Sequence, residues 1–458
     1  MAVVCGEGWT SVVTVEGNVF SWGRGESGQL GLGGPENHYV PAHGGGRKVM
    51  VSLAAGHTHA AGVALDGSAW TWGTGASRFR VSGFKQKRLG TEKIYGGFPV
   101  LMVACGFMHT IAMTARGVFT CGVGIDGRLG HGDLKDRRVL TQIRQFTRLA
   151  HSVACGDCHS VAIDANGGVL TWGRGMFGAL GHNDEHDRHT PTLMANFVQP
   201  NTAVVVSAGF AHTVSVTAKG ELWAWGNGED GQLGLGNEEN RLAPVRVGDQ
   251  DVFGSPVRAA FCGSCHTLTV TKEGQLFSCG NGEKGALGHN DRNNRLVPTR
   301  VEALHSVGAK IVTGSAGETH SAVVTDNGTL YTWGASEGLG HGDGMDKLVP
   351  TRVARHLLQD ACVGHCHELP PLHALAFAMG AHPRLGNSKE VQNLSVLANN
   401  SSKGCAYVGI PGELVELMVE ACRFPLSQMF PEGLAKESRD SVVPMQGAQG
   451  GAKEQDSI

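Results

Sequence analysis

The sequence predicts an all-β fold, a seven-bladed β-propeller with a short helical and disordered C-terminal extension, and three observations carry that prediction. First, a glycine followed three residues later by histidine recurs at Gly56/His59, Gly106/His109, Gly156/His159, Gly209/His212, Gly263/His266 and Gly317/His320, with Gly6/Trp9 as a variant opening. Successive glycines stand 50, 50, 50, 53, 54 and 54 residues apart. Second, another glycine follows eleven residues after each, at 17, 67, 117, 167, 220, 274 and 328. Third, glycine supplies 69 of 458 residues, about 15% against an average of about 7%, without a collagen triplet. A period near fifty residues with about four short strands per copy is that of a propeller blade, which buries its faces only against its neighbours.

The elements follow in order within one copy. Asp66-Gly67 and Asn166-Gly167 suit a two-residue type I′ hairpin turn, whose twist matches the flanking strands. Runs such as 110–113 and 321–324 precede the turn, and 19–22, 169–172, 222–225 and 330–333 follow it, rich in the β-branched and aromatic residues that favour strands. Each second run ends in Trp-Gly or Cys-Gly and enters a glycine-rich loop, of which 25–33 and 228–236 are near-identical copies. An extended segment with Pro41, Pro191, Pro244, Pro298 or Pro350 comes next in five copies, and proline suits an edge strand. A linear solenoid would have shorter coils without such loops.

The Gly-x-x-His element occurs an eighth time at Gly364/His367, whereas the Trp-Gly or Cys-Gly element occurs seven times. The expectation is that strands from 2–14 and from 361–379 share the closing blade, which would remove free sheet edges. The propeller is accordingly assigned to 1–380. An extension over 381–430 places Leu414, Leu417, Met418 and Ala421 on one helical face, with Pro411 at its start and Arg423 at its end. From 431 to 458, Gly, Gln, Ser and charged residues predict a disordered tail.

Lys plus Arg number 38 and Asp plus Glu 41, a formal net charge of −3, too balanced for a chain whose affinity comes from neutralising nucleic-acid phosphates. The first residues show no basic n-region or apolar h-region, and no run of about 18 apolar residues follows. The expectation is a soluble monomer of the cytoplasm, with nuclear entry left open and neither nucleic acid nor membrane as a direct partner.

Cys155-Gly-Asp-Cys158-His159 and Cys262-Gly-Ser-Cys265-His266 match the C-x-x-C-H pattern of haem attachment. In the repeat frame, however, His159 and His266 hold the recurring histidine position, and the first cysteine holds a position that is Ala55, Ala208 or Ala316 elsewhere. Zinc would need four convergent ligands, and the two cysteine pairs lie two blades apart. The reading is therefore no metal, no cofactor and no catalytic residue. Each recurring histidine is expected to bury against the adjacent blade with its ring nitrogens on backbone carbonyls. A second set, His131, His182, His289 and His341, accompanies Asp133, Asp184, Asp291 and Asp343, which read as turn residues bonding their own backbone. Gly173-x-Gly175 and Gly226-x-Gly228 open no helix that could receive a phosphate.

Cys105-Gly-Phe-Met-His109-Thr, Gly328-Thr-Leu-Tyr-Thr-Trp333-Gly and Gly285-Ala-Leu-Gly288-His-Asn resemble repeats of the regulator of chromosome condensation family, over about four fifths of the chain. The resemblance implies a propeller whose loops bind other proteins, and the function read from it is a protein–protein interaction scaffold. Blade two departs from the pattern, placing Arg78, Phe79, Arg80, Phe84, Lys85, Lys87 and Arg88 where other copies have glycine loops. Arg and aromatic side chains supply most hot-spot energy, so these seven are the candidate partner-binding residues. The resemblance implies two alternatives. One is guanine-nucleotide exchange on a Ran-type small GTPase, for which this loop would stand in for the family's wedge, although Gly73 to Gly106 spans 33 residues, as Gly23 to Gly56 does. The other is a substrate or adaptor role in a ubiquitin ligase. The family's plant UV-B photoreceptor branch carries a Gly-Trp-Arg-His-Thr motif, which only Gly8-Trp9-Thr10-Ser11 approaches here.

Overall fold

Each copy of the repeat forms one antiparallel four-stranded sheet. In blade one, β1 (Ala2–Cys5), β2 (Trp9–Val13), β3 (Val19–Gly23) and β4 (His38–Gly44) pair in chain order. The computed structural model describes residues 1–44, 48–74, 92–95, 99–146, 149–195, 202–248 and 250–358, which hold seven such sheets. The second strands are buried at every position, as in His109–Thr114 and His159–Asp164, whereas outer strands such as Arg137–Gln142 are half exposed. The five prolines fall on these outer strands, where a missing N–H removes no ladder bond.

The hairpin turns differ from expectation. In six copies three residues, not two, connect the second and third strands: Thr14 N–H bonds Asn18 O at 2.9 Å while Gly17 N–H bonds Thr14 O at 3.1 Å. Gly17 sits at φ +82° and Glu16 does not share its left-handed backbone. This is the three-residue loop in which a left-handed glycine forms the bulge, so the glycine was legible and the turn type was not.

The blades close into a ring through the Gly-x-x-His glycines. A Cβ on Gly6 would lie 2.6 Å from Gly56 O, one on Gly56 would lie 2.5 Å from Gly106 O, and the series continues through Gly156, Gly209 and Gly263 to Gly317, whose Cβ would lie 2.7 Å from Gly6 O. The seventh step returns to the first blade. Only a residue without a side chain fits where seven backbones converge on one axis.

Between blades, the tryptophan ending a third strand wedges against the preceding blade. Trp22, Trp72, Trp172, Trp225 and Trp333 are fully buried. Four of them donate the indole N–H to a carbonyl in the preceding blade's glycine loop: Trp22 to Gly338 O at 2.9 Å, Trp172 to Arg128 O at 3.0 Å, Trp225 to Ala179 O at 3.0 Å and Trp333 to Ala286 O at 2.7 Å. Each thus combines a large apolar surface with one satisfied polar group.

The expected shared closing blade is overturned. All four strands of the first sheet come from residues 2–44, and the seventh sheet is complete over 311–352. The first and last blades meet face to face: Cys5 N–H donates to Ser315 Oγ at 2.9 Å, and Val3, Val12 and Trp22 pack with Val312, Ala322 and Leu330. Residues 361–379, the helix of 411–423 and the tail lie outside the described residues. Among the described residues no helix is long and apolar enough to cross a membrane.

Candidate functional site

The recurring histidines are joints between blades. Each Nε2 meets the hydroxyl that follows the histidine position in the next blade: His59 with Thr110 (3.0 Å), His109 with Ser160 (2.9 Å), His159 with Thr213 (2.8 Å), His212 with Thr267 (3.0 Å), His266 with Ser321 (2.9 Å) and His320 with Thr10 (2.8 Å). Five of these hydroxyls, those of Thr10, Ser160, Thr213, Thr267 and Ser321, in turn donate to carbonyls of the glycine loops, for example Thr267 to Gln232 O at 2.8 Å and Thr10 to Gly338 O at 2.7 Å. With the hydroxyl proton committed in these five joints, Nε2 carries the ring proton. The expected backbone-carbonyl partners are therefore replaced by side-chain hydroxyls, and Nδ1 of His59, His109, His212 and His320 has no partner among the described residues. At the seventh junction blade two offers Ala60, and the residue facing it is Trp9, which donates Nε1–H to His57 O at 3.0 Å. Trp9 is fully buried, so the one approach to the photoreceptor motif lies in the packing.

Burial pushes His59, His159 and His266 down to about 4, His212 and His320 to about 3, and His109 well below its ordinary value. They are neutral joints, not acids or bases. The pairing makes a prediction. Thr267→Ala leaves the His212 N–H unpartnered and is expected to cost about 1–3 kcal/mol; adding His212→Trp, which reproduces the Trp9/Ala60 junction, is expected to recover at least half. A urea-unfolding double-mutant cycle measures this, and simple additivity of the two losses would refute it.

The cysteines of the C-x-x-C-H segments are equally structural. Burial raises the Cys262 and Cys265 thiols to about 12, and it raises Cys155 and Cys158 as well, which removes the thiolate that nucleophilic or ligand chemistry needs. Among the described residues no group of three or more His, Cys, Asp or Glu could hold a metal ion. The second histidine set bonds third-strand hydroxyls: His131 to Thr120 (3.0 Å), His182 to Thr171 (2.9 Å), His289 to Ser278 (2.9 Å) and His341 to Thr332 (3.0 Å). In blade five, Ala224 and Leu235 replace the two partners together. The adjoining aspartates are turn residues as expected: Asp133 accepts the Lys135 N–H at 3.0 Å, and its second oxygen holds Arg137 at 2.8 Å.

A different group of residues gathers at the axis. Second strands start, and third strands end, at the same end of each blade, so the Gly-x-x-His turns and the glycine-rich loops share one face. In the described loops of that face, 24–37, 123–136, 174–187, 227–240, 281–294 and 335–346, there are 17 Asp or Glu and 6 Lys or Arg. At its centre stand the residues after the ring glycines: Glu7, His57, Phe107, Asp157, Phe210, Ser264 and Glu318. Backbone bonds tie neighbours around the axis, Asp157 N–H to Gly209 O at 3.2 Å, Phe210 N–H to Ser264 O at 3.3 Å and Ser264 N–H to Gly317 O at 3.1 Å. The seven form a shallow axial cup.

One arc of the cup is neutralised internally. Glu7 pairs with His57 Nε2 and with Arg24 Nη1 (3.1 Å), and the His57 contact, the largest influence, holds the Glu7 carboxyl below its ordinary range. The His57 ring packs on Phe107 with centroids 4.2 Å apart. The opposite arc is not neutralised. The Asp157 carboxylate has no hydrogen bond or ion pair among the described residues, and burial raises it to about 7. Arg128 is nearby, but its guanidinium is taken by Asp126 Oδ2 at 2.6 Å and by the carbonyls of Ile125 and Asp157. Phe210 beside it is 43% exposed, and Glu318 is exposed at its surface, with its carboxyl raised by partial loss of water around it and by Glu7.

The candidate residues Arg78, Phe79, Arg80, Phe84, Lys85, Lys87 and Arg88 lie outside the described residues; the chain reaches them from the strand Ala69–Gly73. The axial cup was missed because the position after the ring glycine changes chemistry in every copy and carries no periodic signal.

The family profile described as RCC1-like domain matches residues 83–398, and that of the regulator of chromosome condensation (RCC1) repeat matches 16–63. The chain belongs to the RCC1-like family. Within this family the Arabidopsis thaliana ultraviolet-B receptor UVR8 is 32% identical over 359 residues, 75% of this chain and 80% of UVR8. The human E3 ubiquitin-protein ligase HERC2 is 34% identical over 268 residues, 56% of this chain but 5% of HERC2. The crystal structure of Saccharomyces cerevisiae Prp20p, studied for its binding to Gsp1p and histones, shares the RCC1-like fold with TM-score 0.67 and 22% identity, over 76% of this chain and 89% of Prp20p.

Proposed function

We propose that this RCC1-like propeller is a non-enzymatic scaffold that holds protein partners on its loop face. The observation that carries the reading is the axial cup, where an exposed phenylalanine and a carboxylate without a partner among the described residues are held on a rigid ring whose histidines and cysteines are locked into packing. Relatives with roles as different as a receptor and a ligase share this propeller, which supports binding as the common element. We include Arg78, Phe79, Arg80, Phe84, Lys85, Lys87 and Arg88 in the binding loop. Replacing Arg78, Arg80, Lys85, Lys87 and Arg88 together with alanine is expected to weaken capture of the chain's protein partners about tenfold or more, with the melting temperature within about 2 °C of the parent. Undiminished capture would remove this loop from the surface.

The exchange-factor alternative has its own test. Release of a fluorescent guanine nucleotide from a Ran-type GTPase is expected to stay at its spontaneous rate when the chain is added in catalytic amounts, and acceleration would overturn the non-enzymatic reading. For the ubiquitin-ligase alternative, recovery of ligase subunits that depends on residues 410–430 is the supporting result.

A further inference from the structure

The unneutralised arc of the cup sets a definite chemical requirement. A half-buried carboxylate without a partner among the described residues is costly, and Asp157 stands between Phe107 and Phe210 in the order of blades around the axis. Glu318, three blades beyond Asp157 past Phe210 and Ser264, adds a second negative charge at the same mouth and acts to raise the Asp157 carboxyl. A hard divalent cation does not fit this lining, because it needs six or more oxygen ligands and aromatic rings supply none. Phosphate groups are repelled. An organic cation fits: aromatic faces attract it through the ring quadrupole, and a carboxylate forms a charge-assisted hydrogen bond with its N–H groups.

We propose that a lysine or arginine side chain from a basic segment of a protein partner enters the axial cup, with its head on Asp157 and Glu318 and its stem against Phe210. The inference rests on the scaffold reading above and names the chemistry of its partner. The acidic excess of the surrounding loops draws a basic segment towards this face, while the cup selects one side chain of it. The mouth also explains the solvent exposure of Phe210, which no packing role requires.

The test uses the full chain and fluorescein-labelled Ser-Gly-Arg-Gly-Arg-Gly-Ser, with the citrulline version as its neutral counterpart, read by anisotropy at low salt. Asp157→Asn, which keeps shape and removes charge, and Phe210→Ala, at an exposed position, are each expected to weaken binding about tenfold. Glu238→Gln/Glu239→Gln on the rim is expected to weaken it less than about threefold. Affinity is expected to rise between pH 6 and 8 as Asp157 ionises, and to rise less in Asp157→Asn, which retains His57, Arg128, Glu7 and Glu318. Equal binding of the citrulline peptide, wild-type affinity in Asp157→Asn, or an equal loss in the rim variant would each overturn the cup. A chain that ignores the peptide yet keeps its captured partners would discard the cup and leave the scaffold standing; one that binds the peptide and holds no protein partner would do the reverse.

Discussion

Lowering the pH from 7.5 to 5 is expected to unfold the propeller, and the histidine joints between blades are the cause. In the folded chain burial holds five of them at about 3 to 4 and His109 well down, against about 6.5 in an unfolded chain. A depressed value means that the stabilisation is present above the unfolded value and is lost as pH falls towards the folded one, because only the unfolded chain takes up the proton. At pH 5 each of the five held at about 3 to 4 contributes about 2 kcal/mol to this loss. The five together reach the order of 10 kcal/mol, which is the size of a whole domain's stability, and His109 acts in the same direction. Asp157 acts in the opposite sense: raised to about 7, it stabilises fully below its unfolded value near 3.8 and loses that contribution as pH rises through 7. At pH 5 it returns about 2–3 kcal/mol, too little to reverse the balance. Tryptophan fluorescence against pH is expected to show a cooperative transition between about pH 6 and 4.5. Unchanged resistance to urea at pH 4 would refute the account.

Gly209→Ala is expected to destabilise by about 3 kcal/mol or more, the upper range for overpacking. Its new Cβ would fall 2.2 Å from Gly263 O and 2.4 Å from His212 Cε1. Neither atom can retreat. The oxygen belongs to the next ring glycine, and the imidazole is bonded to Thr267 across the joint. Gly328→Ala is the contrast, since nothing lies within 4 Å of its Cβ direction and only φ +76° opposes it, a strain of about 1 kcal/mol. Urea midpoints at constant slope compare the two. Equal losses would mean that convergence at the axis imposes no special constraint.

The sequence discloses whatever repeats. Ring glycines, turn glycines and strand-ending tryptophans recur because every blade must meet the same close approaches, so the number of blades and the order of strands were readable from spacing alone. The eighth Gly-x-x-His misled because Gly364/His367 carries the motif without a following Trp-Gly, and the missing half was the better guide. The histidine partners were also within reach: Thr or Ser follows the histidine position wherever the preceding blade has histidine, while Ala60 follows it where that blade has Trp9. What spacing could not disclose was the cup. Asp157 and Phe210 become neighbours only when their two blades pack, and whether a carboxylate finds a partner there depends on the assembled surroundings, which no local pattern encodes.

The join between the first blade and the last has a mechanical consequence. Because no strand among the described residues crosses it, the ends of the ring meet through side chains, with Thr10 on His320, Trp22 on the Gly338 carbonyl and Arg24 on Glu337, and through isolated backbone bonds such as Gly342 N–H to Tyr39 O at 2.9 Å, and not through a continuous backbone ladder. A pulling force applied between residues 2 and 352 therefore opens the circle at that junction first, like a clasp, and leaves all seven sheets whole.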